Sequence, residues 1–263
     1  MDVSKSVPLS VAAERAIVIK SPEELAVMRR AGQIVAAILA RLVKEVRPGL
    51  VTAELETITQ EELKRQGALS SFKGYRGYPA SLCVSINDEI VHGIPGPRVL
   101  KEGDIVALDM GTIVDGFQGD GATTVGVGKI GPRARRLIEV TQGALDAGIA
   151  AARGGAWLGD ISAAIQEYVE SRGFSIVREY VGHGIGRQMH EEPQVPNFGE
   201  RGTGPRLRKG MALALEPMVN AGGWRTRVKE DRWTVVTADG SLSAHFEHTI
   251  AITDGEAEIL TRL

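Results

Sequence analysis

A weak internal repeat limits what this chain can fold into. LKEGDIVALD (Leu100–Asp109) returns as LRKGMALALE (Leu207–Glu216), matching at Leu100/Leu207, Gly103/Gly210, Ala107/Ala214 and Leu108/Leu215, an offset of 207 − 100 = 107 positions. Upstream of each copy a second pair recurs at 153 − 47 = 106: Arg47–Gly49 against Arg153–Gly155, and Gln60–Gly67 against Gln166–Gly173. A period this long marks a duplicated half rather than a solenoid of short units. The 263 residues would by length alone allow two small domains. The repeat favours one compact unit of two interlocked halves.

Each copy runs from a basic residue through a turn glycine into an apolar strand that stops on a carboxylate, Asp109 or Glu216. A buried, unpaired carboxylate is costly and tends to take up a proton. Two such strands from matched halves suggest that their carboxylates meet at a central cation. Asp115-Gly116 is a two-residue hairpin signal between apolar runs. A two-residue loop there sets Gly111 opposite Asp120 and makes Asp109 and Asp120 diagonal neighbours on one face. Like charges that close need something positive between them. The competing reading, solvated carboxylates on a surface hairpin, stays open on this stretch alone.

Along the chain, Met1–Arg15 reads as a loose arm with a short strand at Ala16–Ile19, so residues 1–20 form an N-terminal arm and 21–263 a single domain. Ser21 (cap), Pro22 and Glu24 open a helix whose apolar face is Leu25, Met28, Gly32, Val35, Leu39, Leu42 and Val46. Gly32 and the neighbouring alanines suit packing on a sheet. Arg47-Pro48-Gly49 ends that helix, and Thr52 is read as the cap of a second one reaching Gly67. Arg133–Arg153 and Leu158–Arg172 repeat the helix pair. Helix pairs alternating with hairpins predict an α/β (α+β) fold, a curved, mostly antiparallel sheet backed by helices.

Phe72–Tyr78 (FKGYRGY) is an aromatic loop, readable as packing or as a binding wall. Ser81–Asn87 alternates like a half-buried strand. His92 follows beside a tight turn, structural or functional. VGHGIGRQMHEEP (Val181–Pro193) places His183 between glycines and His190 seven positions on. Pro193 and the glycines rule out the metal-binding HExxH helix, and the glycine spacing does not suit a dinucleotide loop. Asp239-Gly240 turns one late strand into another, on which Glu247 sits among apolar neighbours.

Charged residues are 24 % of the chain, hydrophobic ones 43 %, and the net charge is −2, giving no general pull towards nucleic acid or membrane. No run approaches the ~18 apolar residues of a membrane span. Cys83 stands alone, which excludes an internal disulfide and a cysteine-based zinc module. A cytoplasmic protein is expected.

The motifs SINDEIVHGIP, LDMGTIVDGFQGD, GHGIGRQMHEEP, LALEP and HFEHT, in this order and spacing, closely resemble the type I methionine aminopeptidases, metallopeptidases of the pita-bread fold. The resemblance covers roughly Ser21 to Leu260. It implies two divalent cations held by Asp109, Asp120, His183, Glu216 and Glu247, with Asp120 and Glu247 bridging. Those ligands are mainly hard oxygens, suited to Mn, Fe or Co, with Zn a further candidate. One ion has no use for so many anionic groups, whereas two ions about 3.5–4 Å apart share them and activate a water between them.

By the same resemblance, hydroxide between the cations attacks the scissile carbonyl while the substrate's free amine binds one cation, which removes the N-terminal methionine of nascent polypeptides and peptides when the second residue is small. Glu216 is the expected general base, His190 polarises the carbonyl and His92 contacts the scissile amide nitrogen. Whether a protein base is needed stays open. The implied methionine pocket is Phe72, Tyr75, Tyr78, Cys83, Met189 and Trp233, polarizable groups suited to a thioether. Phe72 and Met189 fall at variable positions, and His245 stands where glutamine is expected. Only 216 − 183 = 33 positions separate His183 from Glu216, so the type II helical insertion is missing. With Asp2 in second place, Met1 is expected to be retained.

Two other readings remain: a proline-directed relative (prolidase or aminopeptidase P), which carries a large N-terminal domain, and a non-catalytic pita-bread module that binds peptides, which loses ligands. Arg201–Arg232 holds eight basic residues against three acidic ones. It reads as solvated loops or as a salt-sensitive ribosome contact. A monomer is expected.

Overall fold

Ser21 caps the first helix as the sequence predicts. Its hydroxyl accepts from Glu24 N while Glu24 reaches back to Ser21 N, and Pro22 occupies the first turn. The computed structural model describes residues 17–263, so the expected arm over Met1–Arg15 lies outside the described residues. Of the expected strand Ala16–Ile19, Ala16 lies outside the described residues and Ile17–Ile19 is not a strand; among the described residues the backbone bond that residues 17–20 make beyond themselves is Lys20 N to Gly210 O. The α-helices of the described residues are α1 (Pro22–Glu45), α2 (Thr52–Gln66), α3 (Pro132–Ala151) and α4 (Leu158–Glu170). Thr52 is not the cap of α2 but lies within it; Val51 is the cap, and the Thr52 hydroxyl exchanges hydrogen bonds with the backbone of Gly96. Gly67 closes α2 in the left-handed conformation, which glycine adopts without strain.

The strands before the second helix pair are β1 (Leu69–Ser70), β2 (Cys83–Ile86), β3 (Glu89–Val91), β4 (Ile105–Val114) and β5 (Phe117–Gly126). After it come β6 (Ser175–Ile176), β7 (Gly182–Gly184), β8 (Glu191–Val195), β9 (Ala212–Leu215) and β10 (Met218–Asn220). Next are β11 (Thr226–Val228), β12 (Val235–Thr237), β13 (Ser243–His245), β14 (Glu247–Ala251) and β15 (Glu258–Ile259). One sheet of nine strands runs β1-β4-β5-β14-β9-β7-β8, with β2 on β4 and β15 on β14. Every pairing in it is antiparallel.

The duplication shows in the packing. Leu42, Leu55, Val84 and Leu108 belong to one apolar core under α1 and α2. Leu145, Ile161, Leu213 and Ile250 belong to a second under α3 and α4. The two halves join where β5 of the first pairs with β14 of the second. Gly32 lets α1 approach this seam: a Cβ there would lie 2.6 Å from the Leu260 carbonyl carbon.

One strand differs from expectation. Cys83–Ile86 is buried at all four positions, not half-buried, because Val84 and Ile86 face the first core while Cys83 packs on the opposite side with Tyr78. Among the described residues no helix is long and apolar enough to cross a membrane.

Candidate metal and peptide site

Strand register brings five of the expected residues to one face. The β4–β5 loop is the two-residue turn the sequence signals, with Asp115 at φ 48° and Gly116 at φ 78°. It sets Gly111 opposite Asp120 and Asp109 opposite Ala122. On the other side of β5, Ala122 faces Glu247 of β14. Asp109, Ala122 and Glu247 therefore form one row across three strands, and Asp120, two positions from Ala122, points the same way. Leu215 pairs with His248, so Glu216 comes beside Glu247 as β9 ends. His183 pairs with Ala214, two positions before Glu216, and shares its face.

The convergence is tight. Ligand atoms of Asp120, His183 and Glu247 lie within 4.8 Å of one another. His183 Nε2 is 3.5 Å from Glu216 Oε1 and 4.0 Å from Asp120 Oδ2. Asp109, Asp120, His183 and Glu247 are buried, and Glu216 keeps 15 % of its side chain exposed. Burial and then mutual repulsion push the carboxyls of Asp120, Glu216 and Glu247 well above the usual carboxylate range, and burial raises Asp109. Burial drops the His183 imidazole to about 3, assisted by His190. Its Nδ1 lies 2.8 Å from Gly184 O, an acceptor only, so the proton resides on Nδ1 and the Nε2 lone pair faces the carboxylates.

A divalent cation fits this donor set. Asp109 Oδ1, Asp120 Oδ1 and Glu247 Oε1 are buried without a hydrogen-bond partner. Three buried carboxyl oxygens without a partner, two of them on carboxyls gathered with the free His183 lone pair, are costly unless a proton or a positive ion satisfies them.

The remaining candidates border the pit. The His190 ring centroid is 4.2 Å from that of His183, and Tyr75 stacks on His190 with its hydroxyl 2.8 Å from Nδ1. Burial, then the charge of Arg76, lowers the His190 pKa; burial, then His190, lowers that of His92 to about 4. His92 sits at φ 61° with its ring edge-on to Tyr180. Phe72, Tyr78, Cys83 and Trp233 form one cluster, with Tyr78 edge-on to Trp233 at 5.1 Å. Met189 is buried but is not part of that cluster.

Three supporting residues carried no signal that sequence reasoning used. The Thr249 hydroxyl accepts from Asp120 N at 3.0 Å and donates to Asp120 O at 2.8 Å. Asn197 Nδ2 donates to Glu216 O at 3.0 Å. Thr124 clasps the backbone of His245 as Thr249 clasps Asp120. A threonine two positions beyond Glu247 on an apolar strand was the one available hint.

The sequence pattern of metallopeptidase family M24 matches residues 26–254. The chain is 53 % identical over 247 residues to methionine aminopeptidase 1 of Bacillus subtilis, covering 94 % of this chain and all of that protein. The chain belongs to metallopeptidase family M24, among its methionine aminopeptidases. A crystal structure of the Thermotoga maritima methionine aminopeptidase superposes with a TM-score of 0.93 at 50 % identity, covering 94 % of this chain and 100 % of that one. Prolidase from Pyrococcus furiosus superposes at 0.77 with 20 % identity, covering 97 % of this chain and 68 % of that one, a likeness of fold alone. The M24 architecture is the pita-bread fold that the motifs implied.

Proposed function

We propose that this M24 chain removes the N-terminal methionine from peptides and nascent proteins whose second residue is small. The observation that carries this reading is the shared face of Asp109, Asp120, His183, Glu216 and Glu247, three of whose carboxyl oxygens are buried without a hydrogen-bond partner. These five residues would hold two divalent cations, Mn, Fe or Co by their oxygen-rich donors. When bound, the cations supply Lewis acidity and lower the pKa of a water between them.

The chain's own groups do the rest. Asp120 and Glu247, diagonal neighbours across the β5–β14 seam, would serve both cations. Glu216, the ligand with the most exposure, accepts the proton of the attacking water and passes it to the leaving amine. In the Nε2–H tautomer that this role requires, His190 Nδ1 would accept from the Tyr75 hydroxyl 2.8 Å away, and Nε2–H would meet the carbonyl oxygen of the scissile bond. His92, kept neutral by burial, faces the amide nitrogen. Phe72, Tyr75, Tyr78, Cys83, Met189 and Trp233 are the proposed walls of the methionine pocket.

The reading includes a single catalytic domain over residues 21–263, a cytoplasmic location and a monomeric enzyme. It also includes a salt-sensitive contact of Arg201–Arg232 with the ribosome. Within that stretch Arg201 pairs with Glu167, Lys209 with Asp254 and Lys229 with Glu89, while Arg206 lies over Trp157. Arg208 to Glu, with Arg206 and Lys209 changed likewise, should weaken ribosome co-sedimentation; unaltered sedimentation removes that contact from the account. For the enzyme, the test is release of methionine from Met-Gly-Met, abolished by chelator, with no glycine released from Gly-Pro. Cleavage of Gly-Pro alone would favour a proline-directed enzyme.

A further inference from the structure

We infer that Lys20 is a positioning residue for His190, acting through a buried ion pair with Glu191; the inference rests on the role of His190 proposed above. Lys20 ends the segment that leads into α1. Its side chain is 2 % exposed, with Nζ 2.7 Å from Glu191 Oε2, and Nζ also donates to Val18 O. The other oxygen, Glu191 Oε1, accepts from Gln188 N at 3.1 Å. One carboxylate thus closes the turn Gly186–Glu191 from within and ties it to a segment 171 positions away.

The surroundings are shaped around this pair. A Cβ on Gly186 would lie 2.6 Å from Lys20 Cε and 2.6 Å from Glu191 Oε1. The Lys20 segment is itself seated: Lys20 N donates to Gly210 O at 2.8 Å, and a Cβ on Gly210 would lie 2.7 Å from Ile19 Cγ2. A buried ion pair adds little net stability over an apolar pair, and its best-attested use is to fix register. Register needs fixing here, because the β7–β8 ladder shifts between His183 and Gly184 and beyond that shift holds the turn through the Gly184–Glu191 pair alone.

The two imidazoles differ in what holds them. His183 is fixed by the β7–β9 pairing and its own bond to Gly184 O. His190 is exposed, touches Tyr75 and His183, and is followed directly by Glu191. Loss of the ion pair should therefore displace His190 and leave the metal ligands in place.

The test uses Mn-saturated full-length protein and Lys20→Met, which keeps the stem and removes the ammonium. Turnover of Met-Gly-Met and Mn affinity by titration calorimetry are measured in the wild-type and His190→Ala backgrounds. The expected result is a fall in kcat on the order of tenfold with unchanged Mn affinity, shrinking to less than about twofold once His190 is alanine. An unchanged kcat, a loss that follows Mn affinity, or an equal loss in both backgrounds overturns the inference. Should Lys20→Met not fold, the double variant Lys20→Met/Glu191→Met, which leaves no buried charge, is put through the same cycle. If that also fails to fold, the pair is a stability element and the inference falls. A wild-type protein without peptidase activity, or a fully active His190→Ala, defeats the proposed function instead.

Discussion

Replacing Thr249 by valine should loosen the proposed ligand Asp120 without touching any of the five proposed ligands. Thr249 is fully buried on β14. The β5–β14 register records only Glu247 with Ala122 and His248 with Gly121, so the ladder has no backbone partner for Asp120 from β14. The Thr249 hydroxyl fills that gap, bonding both Asp120 N and Asp120 O. An N–H has one hydrogen, and this one is committed to Thr249 rather than to Gly111 opposite. Valine keeps the shape and orphans both backbone groups. At about 1–3 kcal/mol for each buried group left unpaired, and with the carbonyl able to find a partial substitute, the cost is about 2–4 kcal/mol. For a chain of this size that is a fall of roughly 5–15 °C in Tm. Loss of a residue that orients a ligand should also weaken Mn binding on the order of 10–100-fold. Calorimetry gives both numbers, and Thr249→Ser should recover most of each. The reasoning fails if Thr249→Val keeps wild-type Tm and affinity, or if serine is as damaging as valine.

Metal-free protein should lose stability as pH rises above about 6.5, the ordinary histidine value. Histidines whose folded pKa is lowered have delivered their full contribution by that pH, whereas Asp109, raised by burial to about 7, loses through this range a proton that the unfolded chain has already released, and the raised carboxyls of Asp120, Glu216 and Glu247 act in the same direction. Tm measured from pH 6.5 to 8 should fall with EDTA and stay level with saturating Mn; a level metal-free profile contradicts this. Tyr75→Phe, which removes the hydroxyl at His190 Nδ1, should lower kcat roughly threefold to tenfold and leave Mn affinity alone, read by steady-state kinetics. Gly32→Ala should destabilise by about 1–3 kcal/mol in urea melts despite its better helix propensity, since the new Cβ meets backbone rather than a side chain; a stabilised variant would refute the close approach.

Local chemistry made much of the site readable. The Asp115-Gly116 turn fixed the β4–β5 register, and period-2 alternation then put Asp109 and Asp120 on one face. The repeat pointed to a matching carboxylate in Glu216, and the helix-opening signal of Ser21 to Glu24 held to the residue. What escaped depends on contacts distant in sequence. Thr52 looks like a helix cap until Gly96, 44 positions away, claims its hydroxyl. β2 alternates in sequence yet is buried on both faces, because an aromatic cluster covers the side that would otherwise be wet. Thr249 meets Asp120 across 129 positions, and Lys20 meets Glu191 across 171. No window of sequence records which strand a threonine or lysine will lie against.

Anomalous diffraction from crystals of the Mn-loaded protein tests the proposed pair of cations most directly. Two peaks about 3.5–4 Å apart, one within ligand distance of Asp109, the other of His183 and Glu216, and both of Asp120 and Glu247, are the predicted result. A single peak, or peaks away from these five residues, would contradict it.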